Sequence, residues 1–337
     1  MNPNQGAPVS AIVLLTNPID SSETERLREH AQVRVASSLD PQVLAKEIRD
    51  ADVLIVRSPV AAEVLAHADR LRGIVRHGAG VDIVPVAQAT ARAIPVSNAP
   101  GANAVAVAEY VVGQMLLLSR RLHTVDALLR SDGWSASRAL SDGAIELHGK
   151  TVGIIGVGAI GQALARICHY GFGMSVIGNR RDPSKMPDYI GAASIDDIFR
   201  TADFVVLACP LTAETKGLAN QRTLGLMKQG ASIINVARGA VINQADLVDV
   251  LVQQKISAAL DVFELQPLPD DSPLRTMTNV ILSSHIAGIT LESMRRISEL
   301  SVNQTLDLLA GKLPTPLVNP EVTQRALERM EMLKTSF

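Results

Sequence analysis

Val152-Gly153-Ile154-Ile155-Gly156-Val157-Gly158-Ala159-Ile160-Gly161 carries an apolar strand into a glycine-rich turn and then into a helix. Gly156 permits the tight turn. Gly158 lets backbone approach a pyrophosphate, and Gly161 lets the helix pack close on the strand. A diphosphate would then rest on the N–H groups of the helix start, at Ala159 and Ile160. A second strand, Met174–Gly178, follows at the spacing of a βαβ unit. Strand, turn, helix and second strand together predict a dinucleotide-binding unit and a parallel α/β sheet.

The end of that second strand reads on cofactor choice. An acid about 20 residues past the glycines marks a ribose 2′-hydroxyl and hence NAD. Here the chain has Gly178-Asn179-Arg180-Arg181, and no acid until Asp182. Two guanidiniums match the oxygens of a 2′-phosphate. NADP(H) is therefore the expected cofactor, with NAD(H) a weaker alternative.

The 337 residues are enough for two domains with separate cores. Lys and Arg total 32 against 34 Asp and Glu, a net charge of -2. That balance gives no support for a nucleic-acid or anionic-membrane surface. Cys168 and Cys209 lie in apolar contexts without metal spacing, as expected of buried thiols in a reducing compartment. The N-terminus lacks a basic n-region. The apolar stretch from Ala104 to Ser119 carries Glu109 and Gln114 and is short for a membrane span. A cytoplasmic protein without bound metal is the expectation.

Short apolar strands alternate with helices along the whole chain. The first block predicts strands at 11–15, 33–36, 53–56, 73–76 and 95–96, and a helix over 41–49 with Asp40 as N-cap. Asn98-Ala99-Pro100-Gly101 breaks the pattern, and a long helix is expected over 104–122. The second block predicts further strands at 204–208, 232–236, 258–261 and 280–282, and a helix over 244–253. An amphipathic helix follows Thr290 to about Leu309, and Pro314 and Pro316 predict an extended tail.

Three chemically suggestive segments each follow a predicted strand, where open α/β sheets bind ligands. Asn235-Val236-Ala237-Arg238-Gly239 offers a guanidinium between small residues, suited to a carboxylate or keto oxygen. The second segment is Ala259 to Pro267. The third, Ser283-Ser284-His285-Ile286-Ala287-Gly288, presents a histidine.

Taken together these segments resemble the D-isomer-specific 2-hydroxyacid dehydrogenases over nearly the whole chain. The likeness runs through VRHGAGVD (75–82), NAPGANAVAVAEY (98–110), LHGKTVGIIGVGAIGQ (147–162), ACPLTAETKG (208–217), INVARGAVIN (234–243) and SSHIAGIT (283–290). In appearance the chain is most similar to the NADPH-dependent glyoxylate/hydroxypyruvate reductases. The resemblance implies two α/β domains, Rossmann-like and flavodoxin-like, with a cleft between them. Residues 1–103 and 291–337 would bind substrate and 104–290 the dinucleotide. It implies reversible reduction of a small 2-keto acid to the D-2-hydroxy acid, in a homodimer. Arg238 matches the substrate-binding arginine and His285 the general acid/base. The backbone around Ala79 and Gly80 matches the loop that holds the substrate carboxylate, and Arg57 a basic position lining the cleft. Gly156, Gly158, Ala159, Ile160, Gly161, Asn179, Arg180, Arg181, Cys209, Pro210, Thr215, Ala237, Asp261 and Gly288 fall at cofactor positions.

One position departs from the pattern. The family usually places a Glu before the Pro of the 261–267 loop, paired with the His; here it is Gln266. An amide orients the imidazole but adds no charge to stabilise the imidazolium. The formate dehydrogenase branch also uses Gln there, but its glycine-rich and VAEY segments look different. Trp134 is expected to pack near the hinge helix; His77, which adjoins the carboxylate loop, either shapes specificity or serves a structural role. Two alternatives stand beside the reductase: a short-form phosphoglycerate dehydrogenase, lacking the further regulatory domain of the long forms, and a cofactor-sensing corepressor-like binding protein.

Overall fold

The computed structural model describes residues 11–335. Five strands, Ile12–Leu15 (β1), Gln32–Val35 (β2), Val53–Val56 (β3), Gly73–Arg76 (β4) and Val96–Ser97 (β5), form one parallel sheet in the order β2-β1-β3-β4-β5. β1 and β3 are buried at every position. That is why they read as unbroken apolar runs: helices cover both faces of a parallel sheet. Asp40 caps the Pro41–Glu47 helix by accepting the N–H groups of Gln42 and Val43. The Leu291–Leu309 helix opens on a capping box made by Thr290 and Ser293. It packs on β3, β4 and the Ser21–Arg28 helix, so this part of the chain returns to the first sheet.

The second sheet has seven parallel strands: Thr151–Ile155 (β6), Ser175–Asn179 (β7), Gly191–Ala192 (β8), Phe204–Leu207 (β9), Ser232–Asn235 (β10), Ser257–Leu260 (β11) and Val280–Leu282 (β12). Their order is β12-β11-β10-β9-β6-β7-β8. Sequence order reverses between β6 and β9. Such a switch point leaves a crevice beyond the strands' carboxyl ends. Phe199 and Phe204 are wholly buried beside the sheet, and each large side chain removed from water contributes about 1.5–3 kcal/mol. The long Ala104–Arg120 helix packs on β10, β11 and the Ala159–Arg166 helix.

The chain thus divides into two compact units, Met1–Asn103 with Thr290–Phe337, and Ala104–Ile289. Among the described residues, no helix is long and apolar enough to cross a membrane. Cys168 and Cys209 are buried, unpaired thiols, and burial pushes their pKa values up to about 12 and about 11.

Three local expectations need correction. The long helix stops at Arg120, because Arg121 turns left-handed (φ 51°) and a separate helix runs over Leu122–Ser131. The segment after Pro316 is not an extended tail. Pro320 starts a 3-10 turn that leads into the Thr323–Thr335 helix, a position where proline's missing N–H costs nothing. Trp134 does not pack inward: it begins the Trp134–Ala139 helix and is 74% exposed.

Candidate active site

The glycine turn after β6 is fixed by its own backbone. Gly156 has φ +102°, and a Cβ there would stand 2.5 Å from the Cys209 nitrogen, so only glycine fits against the loop after β9. The N–H groups of Gly156 and Val157 both donate to the Asn179 carbonyl, at 3.0 and 3.1 Å. A Cβ on Gly161 would stand 2.5 Å from the Gly156 carbonyl oxygen, which is the close helix approach expected from sequence. At Gly158 a Cβ would meet nothing within 4 Å. Ala159 and Ile160 form the first turn of the following helix, whose N–H groups have no intrahelical acceptor and carry the positive end of its dipole. An open backbone, a helix N-terminus and a switch point together fit a dinucleotide diphosphate.

A cavity of about 860 Å³ opens here. Gly156, Gly158, Asn179, Arg180, Arg181, Cys209, Pro210 and Thr215 line it, together with Lys185. The Arg180 guanidinium donates to the Lys185 carbonyl, while Arg181 is exposed. Asp182 is committed to the same turn: it accepts the Ser184 N–H and hydroxyl and lies 3.3 Å from Lys185 Nζ. Those donors, with the neighbouring Arg180 charge, hold its carboxyl below the usual carboxylate range. The lining therefore combines the cations Arg180, Arg181 and Lys185 with two carboxylates, Asp182, engaged in its own turn, and Glu214. Thr215 acts within the protein, donating its hydroxyl to the Pro210 carbonyl at 2.6 Å.

Arg238 follows β10. The wholly buried Asn235 side chain clamps its turn, accepting the Ala237 N–H at 3.0 Å and donating to the Arg238 carbonyl at 3.0 Å. The guanidinium, half-buried, donates to the Ala237 carbonyl at 2.7 Å. A Cβ on Gly239 would come within 1.9 Å of the Phe263 carbonyl, so glycine alone lets this turn lie against the loop after β11. The Arg238 turn and the 261–267 loop are thus one packed unit.

His285 follows β12 and is exposed, with a left-handed backbone (φ 58°). Its Nδ1 lies 3.2 Å from Gln266 Oε1. Both side chains border a cavity of about 730 Å³. Beneath them sits Asp261, 2% exposed. Its carboxylate accepts the Ser283 hydroxyl and the N–H groups of Ile286 and Ala287, at 2.7, 2.8 and 2.9 Å. Its carbonyl accepts the His285 N–H at 2.8 Å. Tyr110, on the long helix, hydrogen-bonds Ser283. Burial raises the Tyr110 pKa; the Ser283 bond opposes this and the Asp261 charge adds to it. Sequence reading placed Asp261 at a cofactor position and missed the supporting roles of Tyr110, Asn235 and Ser283. Their only signal was membership of the VAEY, INVARG and SSHIAG segments.

The first unit holds a separate cluster. Arg57 follows β3, its N–H donating to Thr16 Oγ1 at 2.8 Å and its guanidinium to the Pro18 carbonyl. Burial lowers its pKa. The carbonyls of Ala79 and Gly80 accept from Asn98 Nδ2 and Arg76 Nε, both at 2.7 Å. His77 is buried, its Nε2 2.8 Å from Ser298 Oγ. Burial, then the Arg57 and Arg76 charges, push its pKa down to about 3, so it stays neutral.

Comparison with known proteins gives this geometry a lineage. The profile of the D-isomer specific 2-hydroxyacid dehydrogenase NAD binding domain matches residues 112–287, over half of the chain. The chain belongs to this family. Among the dehydrogenase's relatives, the D-3-phosphoglycerate dehydrogenase of Methanocaldococcus jannaschii is 37% identical over 95% of this chain and 62% of its own length. The chain therefore spans under two thirds of that relative. A glyoxylate reductase of Thermofilum pendens is 35% identical, with 95% of this chain and 98% of that protein covered. The solved NADPH-dependent glyoxylate/hydroxypyruvate reductase of Sinorhizobium meliloti, in complex with NADP and malonate, superposes with TM-score 0.81 at 27% identity, covering 92% and 97% of the two chains.

Proposed function

We propose that this dehydrogenase reduces a small 2-keto acid of the glyoxylate/hydroxypyruvate type to the D-2-hydroxy acid, reversibly, with NADP(H) preferred over NAD(H). The observation that carries this is the single packed unit of loops after β10, β11 and β12. It brings Arg238, Gln266 and His285 to the same edge of the sheet that opens the switch-point cavity. When bound, the nicotinamide cofactor supplies the hydride. Arg238 polarises the ketone oxygen and gains strength as negative charge builds there. The Gln266 amide oxygen accepts from Nδ1–H, leaving Nε2 of the imidazolium to deliver the proton. The Ala79 and Gly80 amides and Arg57 take the carboxylate, since the carbonyls of that loop are already tied back.

NADP preference is supported by Arg180, Arg181 and Lys185 on the cavity rim, with Asp182 engaged in its own turn. A homodimer is supported by the exposed Leu122, Leu129 and Trp134, and light scattering on the purified chain tests it. The free, buried thiols fit a cytoplasmic setting. A second reading, oxidation of a phosphorylated hydroxy acid, is favoured by one observation, the 37% identity to a D-3-phosphoglycerate dehydrogenase. A panel of glyoxylate, hydroxypyruvate and D-3-phosphoglycerate, followed by NADPH and NADH absorbance, separates these readings. Turnover of none would leave a corepressor-like binding role.

A further inference from the structure

We infer that Tyr110 is a positioning residue for His285, acting through Ser283 and Asp261. This rests on reading His285 as the proton donor. Donor counting sets the direction of the chain. A serine hydroxyl has one proton, and Ser283 gives it to Asp261 Oδ1 at 2.7 Å. The Tyr110 hydroxyl must therefore donate to Ser283. The Asp261 carboxylate also accepts the Ile286 N–H at 2.8 Å and the Ala287 N–H at 2.9 Å, from the two residues after the histidine. Its carbonyl takes the His285 N–H itself, at 2.8 Å.

Three consecutive N–H groups are thus gathered on one buried residue. This holds His285 at φ 58°, a conformation that residues other than glycine rarely keep unless their surroundings impose it. Tyr110 stands on the Ala104–Arg120 helix, distant in sequence from the loop it supports. Without its hydroxyl, Ser283 can rotate away and Asp261 loses the contact that aims it. The tyrosine touches neither reacting atom, so its effect must pass through the histidine.

The test uses the full chain with NADPH and its best keto acid. Tyr110→Phe keeps the ring, and it should lower kcat about five- to tenfold, the worth of one hydrogen bond, with both KM values within about twofold. Ser283→Ala should do the same, and the double variant should be no worse than either single one. In a His285→Ala background, Tyr110→Phe should cause no further loss. Amide exchange at Ile286 and Ala287, read by NMR on the cofactor-free protein, should accelerate in Tyr110→Phe. If that variant unfolds early, Ser283→Ala carries the same comparisons. Full activity in Tyr110→Phe, a loss that persists without His285, or unchanged exchange at Ile286 and Ala287 would overturn the inference. Near-normal activity of His285→Ala would instead sink the acid–base assignment, while the exchange measurement still judges the Tyr110 network.

Discussion

Replacing Gln266 by Glu should move the alkaline limb of the pH–rate profile upward. Keto-acid reduction requires the protonated imidazole of His285, so activity falls as pH rises through its pKa. Gln266 Oε1 lies 3.2 Å from His285 Nδ1 and brings no charge. A carboxylate there adds a full negative charge at contact distance. Both side chains are exposed, so screening is close to that of water, and the attraction is about 1 kcal/mol or slightly more. That corresponds to a rise of about one pKa unit. The sign follows from the charge: the carboxylate stabilises the imidazolium, which then survives to higher pH. The assay is kcat/KM for one keto acid against pH, wild type beside Gln266→Glu, with thermal melts to check folding. A limb that stays in place or moves down would refute the reasoning and mean that residue 266 does not set the proton affinity of His285.

Three further expectations can be tested with the same protein. Arg180→Asp should weaken NADPH binding by about ten- to a hundredfold and relatively favour NADH, since it removes a charge-assisted phosphate contact; a wild type that already prefers NADH would contradict it. Arg238→Ala should lower kcat about 10²-fold and raise KM for the keto acid, and steady-state kinetics showing only a KM change would remove its transition-state role. His77, with a pKa of about 3 in the fold against 6.5 ordinarily, takes a proton more readily when unfolded. Stability should therefore fall as pH drops from about 6.5 toward 3, by about 1.4 kcal/mol per pH unit from this group. Urea titrations at pH 7 and 5 should show a smaller loss in His77→Gln, and an equal loss would refute the assignment.

Where sequence and structure agree, the cause is local. Gly156, Gly158 and Gly161 report a turn whose backbone admits no side chain or must lie open, and Asp40 reports a cap made by its immediate neighbours. The fully buried strands were legible as apolar runs because parallel sheets bury both faces. What stayed hidden depends on distant partners. Nothing near Arg121 announces a left-handed residue, since neither glycine nor proline marks it. Pro314 and Pro316 pointed to an extended tail, yet Pro320 begins a 3-10 turn that leads into the last helix. Asp261 carries the loop of His285, but its partners come from residues 283, 285, 286 and 287, with Tyr110 behind Ser283, and only the fold assembles them.

The central claim is that His285 delivers the proton in an NADPH-dependent keto-acid reduction. The most direct measurement is kcat for glyoxylate or hydroxypyruvate, by NADPH absorbance, in wild type and in folded His285→Ala. The account predicts turnover by the wild type and a loss of about 10²–10⁴ in the variant. A wild type that reduces no keto acid, or a variant that reduces one at the wild-type rate, would contradict it.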